Sequence, residues 1–361
     1  ERKRKMDINS MKQSFAEELM KTAEQYGVDV SIYRNGNYSP DEILKALSGK
    51  MAEIAAMQVQ EIDEENQNRP IADVRFDITE IIQRINSELP PKPMIRFIPV
   101  EAENTDIFDS KLGGVPYLPK DLPYPVGKEG AYKDIPLRLL VQLNFEKLPH
   151  IDPFPEKGIL QIFCTCADDD EDELFGADYG MNYDDMTDQN GFRVIYHENI
   201  ITDRSKLIDE SDLPEFEFNG CNFPFDGEFL LETGEPEEYA ATIHDGSLRK
   251  LLMKYCSETA GTELNEISEL EQAGFGNMDF LLNNEGQYCC IGGYPYFTQT
   301  DPRYFDDNLK KFDTLLFQLD SESEENGLIM WGDMGVANFF IPKENLKKCD
   351  FSEVLYNWDC C

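Results

Sequence analysis

Positive charge and histidine are what this sequence has least of. Lysine and arginine total 33 against 71 aspartates and glutamates, a net charge of −38, and only three histidines and two tryptophans occur in 361 residues. A surface that negative repels phosphate backbones and anionic membrane faces, which argues against nucleic acid and membrane partners. No apolar run approaches the roughly 18 residues that a membrane span needs. The basic start, Glu1-Arg-Lys-Arg-Lys5, runs into Met-Asp-Ile-Asn-Ser rather than a secretory apolar segment. The chain opens on Glu1, so it reads as a trimmed or partial chain. There is no GxxxxGK[ST], no GxGxxG after a strand, no HExxH and no GxSxG. Paired C-x₂₋₄-C ligands of a zinc site are also missing. The nine cysteines group as Cys164/Cys166, Cys289/Cys290 and Cys360/Cys361, an odd total that reads as reduced thiols in a cytosol. None of His150, His197 and His244 lies in a recognisable nucleophile motif. The sequence therefore assigns no catalytic residue, no metal and no cofactor, and it leans away from an enzyme.

What is present is a repeat. Lys111-Leu-Gly-Gly-Val-Pro-Tyr117 recurs as Ile291-Gly-Gly-Tyr-Pro-Tyr296. Each copy leads to an apolar run holding one glutamine, Leu139-Leu-Val-Gln142-Leu-Asn-Phe-Glu146 and Leu315-Leu-Phe-Gln318-Leu-Asp-Ser-Glu322. A glycine before a further apolar run follows each, at Gly158 and Gly327. Ordered landmarks at offsets of 179, 176 and 169 point to an internally duplicated antiparallel β-sheet unit. Its two pseudo-equivalent halves would cover about 94–200 and 275–345.

Along the chain, helical spacing is evident at 7–26 and from Ser39-Pro-Asp-Glu42 through the Ala/Met-rich stretch to 59. A polar linker follows over 61–70, so residues 1–72 are expected to form a small helical N-terminal module. Asp77 opens a helix with Ile78, Ile81, Ile82, Ile85 and Leu89 inward, stopped by Pro90-Pro91-Lys-Pro93. Beyond Met94 short apolar runs alternate with turn residues, giving strands at 94–98, 137–145, 159–164, 192–196, 227–231, 288–291, 313–319 and 328–331. Helices are expected at 246–258, 264–272 and briefly within 342–356. The fold class is α+β, with residues 73–361 as the duplicated domain.

Four stretches carry a resemblance. Ser110-Lys-Leu-Gly-Gly-Val-Pro-Tyr-Leu-Pro119, Lys157-Gly-Ile-Leu-Gln-Ile-Phe163, Gly293-Tyr-Pro-Tyr-Phe-Thr-Gln299 and Trp331-Gly-Asp-Met-Gly-Val-Ala-Asn-Phe-Phe-Ile341 resemble the YwqG-like family, the DUF1963 domain. The ending Asp350-Phe-Ser-Glu-Val-Leu-Tyr-Asn-Trp-Asp359 is similar too. The resemblance covers roughly residues 90–361 and implies a duplicated α+β bacterial domain without established activity. Family members found near contact-dependent toxin and immunity genes imply an immunity-type binding role.

Two candidate sites follow. Asp168, Asp169, Asp170, Glu171, Asp172 and Glu173 begin an acidic tract with no lysine or arginine before Arg193. It fails the Ca²⁺-loop template, with Glu173 at position six and Tyr179 at position twelve. It reads as a solvated loop or a docking element for a basic protein. The second is Trp331, Asp333 and Asn338 with Tyr294, Tyr296, Gln299 and Arg303, a possible polar pocket where the halves meet. Gln142 and Gln318 inside apolar strands must find hydrogen-bond partners, because stranding an amide costs a few kcal/mol, and they read as structural. The expected function is that of a cytoplasmic, non-catalytic acidic protein engaging a basic, toxin-like partner. The alternative is a small-ligand or hydrolytic domain using the Trp331/Asp333 pocket.

Overall fold

The computed structural model describes residues 74–166, 173–178, 186–216, 223–242, 245–276, 289–304, 306–321 and 329–360, with Met20, Val30 and Ile43. The chain divides into two compact units, Glu1–Ala72 and Asp73–Cys361. In the first, Met20 and Ile43 are helical and, like Val30, buried. The rest of the expected helices at 7–26 and 39–59 lies outside the described residues.

The second unit opens with α1, Ile78–Glu88. Asp77 caps it by accepting from the Thr79 N–H at 2.8 Å, as its short acidic side chain is suited to do. Its inward face, Ile81 and Ile85, packs with Leu248, Leu252 and Tyr255 of α2, Gly246–Ala260. That helix starts at the Asp245 cap and ends at Gly261 in the left-handed region. No described helix is long and apolar enough to cross a membrane.

Among the described residues eleven strands form one antiparallel sheet. They are β1 Lys92–Ala102, β2 Lys111–Gly113, β3 Arg138–Asn144, β4 Ile159–Cys164, β7 Phe192–His197, β8 Glu228–Thr233, β9 Glu237–Tyr239, β10 Cys289–Gly292, β11 Thr314–Asp320, β12 Val336–Ile341 and β13 Leu355–Asp359. A two-stranded hairpin, β5 Glu173–Leu174 and β6 Ala177–Asp178, stands apart. Across the sheet the order is β13-β12-β11-β10-β1-β8-β2-β3-β4-β7, with β9 also on β1. The sheet curls, bringing its two ends over one core. Val141, Leu143, Leu160, Ile162 and Phe192 from one arm share a cluster with Phe317, Leu319, Phe339 and Tyr356 from the other. Phe192 lies 5.9 Å from Phe339 and 5.2 Å from Tyr356, centroid to centroid.

Because alternate strand residues face opposite ways, the outer faces carry a different set: Gln142, Asn144 and Gln161 on one arm, Gln318, Asp320, Asn338, Asn357 and Asp359 on the other. All eight are buried. The arms also repeat one geometry. Lys111, Gln142 and Gln161 pair across β2, β3 and β4 as Cys290, Gln318 and Asn338 pair across β10, β11 and β12. A register shift falls between Leu139 and Val141 in one arm and between Leu315 and Phe317 in the other.

Two local expectations differ from what is observed. Residues 329–331 are not strand. Their N–H groups find partners outside a ladder, Met330 donating to the Pro224 carbonyl at 2.6 Å and Trp331 to Ser321 Oγ at 2.9 Å, and the strand begins only at Val336. The counterpart of Gln161 is thus Asn338, 177 residues on, while Gly327 lies outside the described residues. In 342–356 only Lys343–Leu346 is helical, and the period-two run from Leu355 to Asp359 is strand β13.

Gly292 holds φ +72°, and a Cβ there would stand 2.5 Å from the Pro93 carbonyl oxygen, whereas the left-handed Gly261 has open space around it. Gly261→Ala should therefore cost only the left-handed penalty, about 1 kcal/mol. Gly292→Ala should cost about 3 kcal/mol, because a backbone atom must also move. Denaturant unfolding of the two variants checks the ranking.

Candidate functional site

The two Gly-Gly turns are held by side-chain amides. Gln142 Oε1 accepts from the Tyr117 N–H at 2.8 Å, and its Nε2 donates to the Ile107 and Asp109 carbonyls. Gln161 Nε2 donates to the Tyr117 carbonyl and to Gln142 Oε1, both at 2.8 Å. In the other arm Gln318 Oε1 accepts from the Tyr296 N–H at 2.7 Å and Asn338 Nδ2 donates to the Tyr296 carbonyl at 2.8 Å. The two glutamines were expected to act structurally where the halves meet; each instead holds a turn within its own arm.

Ionisable groups distinguish the arms. The first buries Lys111, whose ammonium donates to the Val115 and Asp106 carbonyls; burial draws its pKa down to about 8. His197 stacks edge-on against Tyr117 at 5.0 Å and contacts Gln161 Oε1. Burial holds its pKa at about 4, so it is neutral at pH 7. The second arm carries Asp320 and Asp359, which flank Val336 in one cross-strand row. Asp320 Oδ1 accepts from the Ser321 N–H, while its buried Oδ2 finds no partner among the described residues. Burial, assisted by the Asp359 charge, pushes Asp320 up to about 7. Asp359 accepts from the Thr298 and Gln299 N–H groups, and burial raises its pKa too. Burial also raises the Cys164 and Cys290 thiols, the latter to about 12, which keeps them protonated.

The seven residues suggested as a pocket fall into separate surroundings. Asn338 and Tyr296 meet, as described. Gln299 is nearby, its Nε2 donating to the Cys360 carbonyl and its N–H held by Asp359. Arg303 grips Asp301 through Nε at 2.9 Å and a terminal nitrogen at 2.7 Å, donates to the Phe312 carbonyl, and lies 3.9 Å over the Phe340 ring. Tyr294 donates to the Pro90 carbonyl within the helical cluster. Trp331 is buried on the inner side against Phe175, 5.0 Å away, and Asp333 stands exposed on the loop after it. Of the acidic tract, residues 168–172 lie outside the described residues, and Glu173 opens β5 opposite Asp178. No group of three or more His, Cys, Asp or Glu among the described residues is placed to hold a metal ion.

A cavity of about 510 Å³ adjoins this arm, between α2 and the segment 297–304. Gln299 lines it, and so do Arg249, Lys250 and Tyr304, which the sequence reading did not single out. Asp320 was legible in principle. It stands two residues beyond Gln318, hence on the same face.

Residues 110–360 match the family described as Domain of unknown function (DUF1963). The chain belongs to the DUF1963 family. No curated protein matches it significantly. In this DUF1963 chain the repeated Gly-Gly-x-Pro-Tyr turns are the segments the buried amides hold, and the carboxylate row belongs to the C-terminal arm alone.

Because Asp320 binds a proton more tightly folded than unfolded, it withdraws stability as pH rises from about 4 to about 7. The advantage of Asp320→Asn over the parent should grow across that window by on the order of 2 kcal/mol and stay flat above it. Denaturant melts at pH 4, 5.5, 7 and 8 measure the difference. In a second check, Gln318→Leu, which strands the Tyr296 N–H, should cost about 2 kcal/mol.

Proposed function

We propose that this DUF1963 chain is a non-catalytic acidic binding protein of a bacterial cytoplasm, engaging a basic protein partner in the manner of a toxin-neutralising protein. The supporting observation is where the negative charge lies. Residues 1–95 hold 17 acidic and 13 basic side chains, so −34 of the net −38 belongs to the remainder. Among the described residues only Asp245, Asp320 and Asp359 are buried carboxylates. Many cations are already matched at short range, as in Lys147–Asp109, Lys157–Glu198, Lys311–Glu353, Arg138–Asp226 and Arg303–Asp301. Among the described residues the other carboxylates are therefore left outside the buried core, where they would steer a basic partner.

A pocket joining Trp331 to Asp333 has less support, since one is in the core and the other on an exposed loop.

The proposal includes a duplicated origin for the two arms. Its support is the repeated register, register shift and amide clamp at offsets near 177, a combination that independent strands would rarely share.

The experiment is capture with tagged protein from its native extract at about 50 and about 500 mM salt, where the Debye length falls from about 14 to about 4 Å. One stoichiometric basic protein, retained at low and lost at high salt, is expected. A partner that is acidic, or indifferent to salt, would refute the proposal. With the partner in hand, converting residues 168–173 to Asn and Gln should slow association about tenfold and change dissociation little. An unchanged association rate would remove that tract from the interface.

A further inference from the structure

The cavity beside the C-terminal arm is lined by two cations and one carboxylate. Arg249 and Lys250 stand on the α2 face that borders it, both exposed, and neither makes an ion pair among the described residues. One carboxylate lines the same cavity, Asp301, and the Arg303 guanidinium engages both of its oxygens. The local balance is thus positive in a strongly negative chain. The first turn of α2 does not supply the attraction, because Asp245 already accepts from the Ser247 and Leu248 N–H groups. The two side chains do.

The remaining lining is amphipathic. Met253, Leu264 and Phe297 give apolar wall, and Gln299 and Thr300 are polar. Tyr304 is about half exposed. Its ring rests on Gly246, where a Cβ would come within 3.1 Å of it. A volume of about 510 Å³ suits a small organic ligand. The second cavity of similar size lacks this balance. Its Arg138 pairs with Asp226, and its Glu228 accepts from Thr105.

We infer that this cavity binds a small organic anion with a flat apolar body, an aryl carboxylate, sulfonate or phosphate. Its charged group would meet Arg249 and Lys250, and its ring would lie along Tyr304 and Met253. At physiological ionic strength charges beyond about 8 Å are largely screened. The neighbouring carboxylates Asp245 and Asp359 are buried and accept from backbone N–H groups, so Arg249 and Lys250 are the cations that the lining itself presents. This ligand site is separate from the basic-partner reading and stands or falls without it.

The test uses anilinonaphthalene sulfonate as fluorescent probe on the full chain, with benzoate, phenyl phosphate, inorganic phosphate and neutral benzamide as competitors. Saturable one-site binding is expected, displaced by benzoate and phenyl phosphate. Inorganic phosphate should compete about tenfold more weakly than phenyl phosphate, for want of an apolar body. The Arg249→Gln/Lys250→Gln pair, both at exposed positions, should bind the probe at least about tenfold more weakly with an unchanged melting temperature. Lys347→Gln/Lys348→Gln, away from the cavity, should bind it as the parent does. Absence of saturable binding overturns the inference. So does undiminished binding by the Arg249/Lys250 variant, or competition by benzamide equal to that of benzoate.

Discussion

A buried backbone N–H must be given an acceptor, and in this fold that demand is met by side chains planted in neighbouring strands. The turns at Gly113-Gly114 and Gly292-Gly293 have left-handed backbones, so the segments after them leave the sheet and lie across its outer face. There the Tyr117 and Tyr296 amides would be stranded, each at a cost of about 1–3 kcal/mol. Gln142 and Gln318 accept from them, and Gln161 and Asn338 return a donor to the same residues' carbonyls. Strands that look largely apolar in sequence therefore keep buried amides on their outer face: Gln142 and Asn144 in β3, Gln161 in β4, Gln318 in β11 and Asn338 in β12. The inner faces stay wholly apolar, which lets the two arms close on one aromatic core.

The same arrangement explains where ionisable groups can be tolerated. Covering an outer face removes water from whatever stands beside the amides. In the N-terminal arm the neighbours are Lys111, satisfied by carbonyls, and His197, kept neutral. In the C-terminal arm they are two carboxylates with raised pKa. The arms share a framework and differ in charge, and the cavity lined by Gln299 adjoins the acidic one. Among the described residues the other carboxylates lie outside the buried core.

Much of the framework was legible in the sequence because it rests on local chemistry. The Asp77 cap, the Gly-Gly turns and the apolar run of β4 each declare themselves within a few residues. The strand after Trp331 was misplaced by several residues. Ile329, Met330 and Trp331 are as apolar as any strand, yet their backbone partners are Pro224 and the Ser321 hydroxyl rather than a ladder. β13 was hidden by Asn357 and Asp359, polar residues that are buried, Asp359 beneath the Thr298 and Gln299 N–H groups it accepts from. The cation-lined cavity was illegible for a related reason. Arg249 and Lys250 read as a solvated helix face, and only the approach of residues 297–304 makes that face a wall.

The amide clamps hold the two turns on the sheet, and backbone hydrogen exchange reads them directly. The Tyr117 and Tyr296 amides should be among the slowly exchanging sites of the second unit. Gln142→Leu should release Tyr117, and Gln318→Leu should release Tyr296. Fast exchange at either amide in the parent protein, or protection that survives loss of its glutamine, would contradict the claim that these side chains hold the turns on the sheet.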